Sequence, residues 1–240
     1  MMGYDMSYML MVMLPGMVLS GLASMMVKRT FAKYENVGTA RNMTGAEAAQ
    51  LMLERAGVHD CRIEPIGGRL SDHYDPRDKT LRLSEPVYNA RSISAIGVAC
   101  HEAGHALQHA TGYKWLQMRS QLVPVTNISS KMSMPVLMIG MMLLALAPAL
   151  GMWVVMVGVA LFAAAVVFSV VTLPVEWDAS ARAKTAMVNA GIVTDEEVGG
   201  AASVLNAAFL TYLAAAIASI MTLLYYLHRS GLLRMLMNRR

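Results

Sequence analysis

The 240-residue sequence predicts a mainly α-helical membrane protein, with four transmembrane helices and a small α+β region outside the bilayer. Three observations carry this prediction. Hydrophobic residues make up 56% of the chain and charged residues only 15%, against roughly 25% charged in an ordinary soluble domain. The charges are missing altogether from three long runs. Between the first two runs, residues 28–131 carry strand, turn and helix signals instead. This composition excludes a disordered chain. Two cysteines, Cys61 and Cys100, exclude a disulfide scaffold. The net charge of +4 is small and spread out, so no nucleic-acid partner is expected.

The first run, Met6 to Val27, holds 22 residues, about the ~20 that a spanning helix needs. No Lys or Arg precedes it, as the start of a signal peptide would require, so residues 1–27 read as a retained anchor. The second run holds 44 residues between Lys131 and Glu176. That is too long for one span and right for a hairpin over 132–174. Helices are expected at about 132–149 and 152–174, turning at Pro148-Ala-Leu-Gly151. The third run, Val198 to Leu227, predicts a last span at about 204–227 within a 204–240 segment. The tail from His228 to Arg240 reads as a basic helix lying on the membrane surface. The 23 methionines, many inside the runs, are flexible apolar filler.

Four spans place 28–131 and 175–203 on one side of the membrane. Residues 28–131 carry 14 Lys and Arg, and positive charge in the loops favours the cytoplasm. The expectation is a multi-pass protein of the cell membrane, with the lipid bilayer as its constant partner.

Within 28–131, Thr44-Gly-Ala-Glu47 is a capping box opening a helix over about 45–56, stopped by Gly57. Cys61 to Pro65 reads as a strand. Arg69–Tyr74 and Thr80–Ser84 read as a hairpin around Asp75-Pro-Arg-Asp78. A further helix is expected from about Ser92 to Ala110.

That helix carries His101-Glu102-Ala103-Gly104-His105, the H-E-x-x-H pattern. Four residues turn a helix by about 400°, so His101 and His105 leave one face one turn apart. Two imidazoles so placed can share a zinc ion, one per chain. Glu102 beside them can take a proton from a metal-activated water, and Glu102 is the expected catalytic residue. A catalytic zinc wants a third protein ligand. His109 lies one turn further on, but three turns of a straight helix do not easily converge on one ion. It reads as a cleft wall, a support for the ligands, or plain surface polarity. Glu176, the first acid after the hairpin, is the better third ligand. Pro174 suits a helix start there, and Ala179 and Ala183 would let that helix come close. Taken alone, Glu176 could equally be an ordinary acid at a membrane boundary.

Four stretches together resemble the YugP-type bacterial membrane zinc metallopeptidases. They are Ser71-Asp-His-Tyr-Asp-Pro-Arg77, Leu81-Arg-Leu-Ser84, Ala99-Cys-His-Glu-Ala-Gly-His-Ala-Leu-Gln108 and Leu173-Pro-Val-Glu-Trp-Asp-Ala-Ser180. The resemblance covers nearly the whole chain. It implies a zincin-like catalytic region at 28–131, completed by a third-ligand helix and loop at 175–203. It also implies a membrane-bound neutral endopeptidase with His101, His105 and Glu176 on zinc and Glu102 as general base and acid. The layout is similar to the HtpX and Ste24 peptidases, where a strand before the zinc helix holds extended substrate. By that analogy one strand of the hairpin 69–84 meets a peptide or membrane-protein substrate. Those relatives commonly carry Asp four residues after the ligand Glu. Here that position is Ser180, with Asp178 two residues on. The partner that orients the zinc-ligand histidines is left open. His109, Tyr88 and Arg182 are candidates for stabilising the oxyanion, and His73 is a further polar group near the cleft.

Two rivals stand against this reading. In an intramembrane protease the H-E-x-x-H pattern lies inside a span, but here it is too closely flanked by polar residues. A zinc-binding membrane adaptor or assembly factor would need no Glu102. Membrane-protein quality control is the expected role. A homo-oligomer or a complex with another membrane protein is compatible with the long spans.

Overall fold

The computed structural model describes residues 6–233. Most of the predicted tail beyond His228 lies outside them. The chain is mainly helical, with seven helices and three strands among the described residues. Four helices are long and apolar enough to cross a membrane: α1 (Met6–Tyr34), α5 (Lys114–Leu146), α6 (Pro148–Asn189) and α7 (Val198–Arg229). Between α1 and α5 come α2 (Gly45–Arg55), β1 (Arg62–Ile66), β2 (His73–Asp75), β3 (Thr80–Ser84), α3 (Glu85–Tyr88) and α4 (Ile93–Ala110). Two compact units divide the chain, one of residues 1–21, 118–172 and 212–240, the other of 22–117 and 173–211.

In the first unit α5 and α6 form the hairpin, and glycines set how close they come. A Cβ on Gly140 would lie 2.7 Å from the Val155 nitrogen, and one on Gly158 would lie 2.8 Å from Leu137 Cγ. Lipid gives no hydrophobic drive between spans, so such small residues let dispersion contacts hold the pair. Leu137 and Val155 are buried at this contact.

The spans are longer than the charge-free runs. α5 starts at Lys114 rather than near residue 132, and α7 at Val198 rather than near 204. Charge marks where apolar surroundings end, but a helix continues wherever nothing breaks it. The turn falls at Ala147, and Pro148–Gly151 is the first turn of α6 rather than the loop. Pro148 suits that first turn because its missing N–H would have had no partner there. Pro174 does not start a helix. It lies inside α6, which runs unbroken past Glu176.

In the second unit α2 begins as the sequence predicts. Thr44 accepts from the Glu47 nitrogen at 3.1 Å, and Glu47 accepts from the Thr44 nitrogen at 2.7 Å. The sheet has the order β1-β3-β2, with β1 parallel and β2 antiparallel to the central β3. Thr80, Leu81, Leu83 and Ser84 of β3 are buried. β2 is shorter than the predicted Arg69–Tyr74. Leu70 takes a left-handed backbone conformation (φ 58°). Asp72 then offers its carboxylate, instead of its backbone, to the Ser84 nitrogen at 2.8 Å. One apolar core joins α2, β3, α4, α6 and α7 through Met52, Leu53, Leu81, Leu83, Ile96, Met187 and Leu205.

The tip of the hairpin carries a local pH dependence. Arg77 grips Asp75 with Nε at 3.0 Å and Nη2 at 2.6 Å, holding its carboxyl down at about 2. An unfolded Asp titrates near ~3.9. The folded value lies below the unfolded one, so the contribution is complete above about pH 4 and fades as pH falls towards 2. Arg77→Ala should move the Asp75 titration, followed by NMR, to higher pH and start acid unfolding earlier.

Candidate metal centre

α4 supplies the two histidines. Ser92 caps its start, accepting from the Ala95 nitrogen at 3.3 Å, and Gly112 (φ 65°) follows its end. Ile96, Ala99, Cys100 and Ala103 bury one face. That leaves the one-turn pair His101 and His105 on the side facing α6. Their rings meet edge to face, with centroids 4.9 Å apart.

α6 brings Glu176 to them. A Cβ on Gly104 would lie 2.5 Å from the Ala179 carbonyl oxygen, so this glycine lets the two backbones touch. Ala179 and Ala183 are fully buried, as the small residues at these positions suggested. Glu176 is only 1% exposed. Its Oε2 lies 3.1 Å from His101 Nε2 and 3.7 Å from His105 Nε2. One donor atom from each of the three residues falls within 4.8 Å of the others.

These residues fit zinc. Bonds of ~2.0–2.2 Å in a tetrahedron place ligand atoms roughly 3.3 Å apart, and the two separations bracket that value. Two imidazoles and one carboxylate are a donor set of catalytic zinc, leaving a fourth position open. Neither cysteine competes. The only metal-binding group gathered among the described residues is His101, His105 and Glu176, and it includes neither Cys61 nor Cys100.

The far ring nitrogens are also occupied. Ser180 Oγ lies 3.1 Å from His101 Nδ1, so the residue four positions after Glu176 reaches the histidine. His105 Nδ1 lies 3.0 Å from Gln108 Oε1. Gln108 Nε2 donates to the Val175 carbonyl and to Asp178 Oδ2, both at 2.8 Å. Arg182 Nε donates to the same Asp178 oxygen at 2.6 Å, and its Nη1 to Thr111 Oγ1 at 3.2 Å. Asp178 and Arg182 thus belong to a network tying the end of α4 to α6.

Glu102 is half-buried beside His101 and makes no hydrogen bond or ion pair among the described residues. His109 lies at the far end of α4, its Nδ1 2.8 Å from Tyr74 Oη of β2. Burial raises the Tyr74 phenol above its ordinary range, so the phenol stays protonated, and the His109 tautomer decides which of the two donates. His73 is exposed, and its Nδ1 engages the Ser71 carbonyl at 2.7 Å rather than the histidine pair. Tyr88 ends α3 and packs against the core.

Sequence reasoning missed Gln108 and Tyr74. Gln108 had a signal: seven residues after His101 and three after His105, it shares their face, yet it is an amide in a helix otherwise lined there by Ala and Leu. Tyr74 had none, because only tertiary structure lays β2 beside α4.

The family model described as "Putative neutral zinc metallopeptidase" matches residues 9–231. The chain is similar to "Putative membrane protease YugP" of Bacillus subtilis (strain 168), with 47% identity over 208 residues, 87% of this chain and 90% of that one. No solved structure matches.

Proposed function

Because the chain belongs to the neutral zinc metallopeptidase family, we propose that His101, His105 and Glu176 hold one zinc ion for peptide-bond hydrolysis. The observation that carries this is the convergence of both histidine Nε2 atoms on the Glu176 carboxylate, at 3.1 and 3.7 Å. Bound there, zinc supplies Lewis acidity, polarising a carbonyl and acidifying a water. Glu102 takes the water's proton and delivers it to the leaving amine. Ser180 and Gln108 hold the ring planes of the two histidines. The oxyanion needs a second donor. Arg182 is engaged by Asp178 and Thr111 and one ring nitrogen of His109 by Tyr74, so His109 could serve only through its other nitrogen, with Tyr88 the remaining candidate.

The substrate strand joins β2. β3 is hydrogen-bonded on both sides, so β2 is the hairpin strand with an open edge, and an extended segment can add to it by backbone pairing. The Tyr74–His109 bond fastens β2 to the zinc helix. The catalytic region is 28–131 with 175–203, on the cytoplasmic side. Its substrates are damaged or misassembled membrane proteins, motivated by a multi-pass chain whose third ligand follows a span on the same helix. Unchanged half-lives of all membrane proteins in a deletion strain would remove that role.

The direct test is elemental analysis of detergent-purified protein. Wild type should carry about one zinc per chain, and Glu176→Ala should lose most of it. Zinc retained by the variant would move the third ligand elsewhere.

A further inference from the structure

We propose that Gln108 is a positioning residue that fixes the proton of His105 on Nδ1 and so presents a bare Nε2 lone pair to the metal. The proposal rests on the zinc reading above and extends it to the state before metal arrives. Gln108 is fully buried. The two ends of an amide have nearly the same shape, and the hydrogen-bond network decides which way it points. Here the network leaves one choice. The Val175 carbonyl and the Asp178 carboxylate, each 2.8 Å away, can only accept. The –NH2 end must face them, because the reversed amide would set oxygen against two oxygens.

The amide oxygen therefore faces His105 Nδ1 at 3.0 Å. A carbonyl oxygen only accepts, so Nδ1 must carry the hydrogen. A neutral imidazole has one N–H, which leaves the lone pair on Nε2, the nitrogen 3.7 Å from Glu176 Oε2. His101 is served differently. The Ser180 hydroxyl at 3.1 Å can donate or accept, so it allows either tautomer. The two histidines are chemically unequal: His105 is set in advance by the fold, and His101 is set on binding.

The same amide reaches further. Its bond to the Val175 carbonyl grips the residue before Glu176, and its bond to Asp178 continues through Arg182 to Thr111, just past the end of α4. One buried side chain thus fixes the tautomer of one ligand and the backbone beside another. Removing such an outer partner typically costs about 10- to 100-fold in metal affinity.

The test uses the full-length, metal-free protein in detergent, with histidine rings labelled with 15N. In wild type, at a pH high enough to keep the ring neutral, NMR should place the single His105 proton on Nδ1. In Gln108→Met, which lacks the acceptor, the proton should shift wholly or partly to Nε2. Zinc affinity, measured by competition with a fluorescent chelator, should fall about 10- to 100-fold. Gln108→Glu keeps an acceptor there and loses both donors, so the proton should stay on Nδ1. Ser180→Ala should change the His101 signals and leave the His105 tautomer alone. A proton still on Nδ1 in Gln108→Met overturns the proposal, even if affinity falls, because the side chain would then act only through packing. If Gln108→Met does not fold, Gln108→Glu decides, and a proton on Nε2 there overturns it. Absence of zinc from wild type would defeat the zinc reading by itself, since the tautomer is read without metal.

Discussion

Glu102→Gln is expected to keep about one zinc per chain while peptide hydrolysis falls by roughly 10²–10⁴-fold, the usual worth of a positioned acid–base group. The substitution preserves shape and removes only the ability to take a proton. Glu102 is half-buried on the same helix as the histidines and contributes no hydrogen bond or ion pair to the fold among the described residues, so stability should hardly change. The measurements are zinc content, thermal unfolding and cleavage of an internally quenched peptide by the solubilised protein. Full activity in the variant would place the base elsewhere. Zinc binding without cleavage in wild type as well would point to an adaptor.

Gly104→Val should be as damaging to activity by a different route, through loss of the metal. The added Cβ meets the Ala179 carbonyl oxygen at 2.5 Å, its carbon at 3.2 Å and its Cα at 3.3 Å. These are backbone atoms and cannot rotate aside, so α6 must move, and Glu176 lies three residues before Ala179 on that helix. Overpacking of this kind typically costs about 1–3 kcal/mol, and zinc should be lost along with the carboxylate's position. Gly97→Ala is the control. Its Cβ would meet the Ala201 Cβ at 3.6 Å, an ordinary contact, and an alanine inside a helix gains up to about 1 kcal/mol over glycine. The control should keep its zinc and its melting temperature. If Gly104→Val does too, the close approach does not hold the site together.

What could be read from the residues follows a physical line. Charge-free runs count the membrane directly, so four apolar helices were legible. The Thr44–Glu47 box, closed in both directions, is local chemistry and was legible too. The ends of the spans were not: α5 and α6 continue through Pro124, Pro135 and Pro174, where local propensity says break and the surrounding structure overrides it. The nearness of Glu176 to His101 and His105 was anticipated from the small residues Ala179 and Ala183. The bonds around the histidines were not, because Ser180 and Gln108 reach those rings only through the register of α4 against α6. In sequence they are a hydroxyl four residues after Glu176 and an amide in an apolar stretch.

The three residues that meet at the site come from opposite sides of the hairpin's turn in sequence. His101 and His105 precede it on α4, and Glu176 follows it on α6. Synthesis runs from the N-terminus, so the histidine helix leaves the ribosome long before the carboxylate does. On the proposed reading, the nascent chain lacks its third zinc ligand until α5 and most of α6 have been made. Hydrolysis by the proposed site would then wait for the second and third spans.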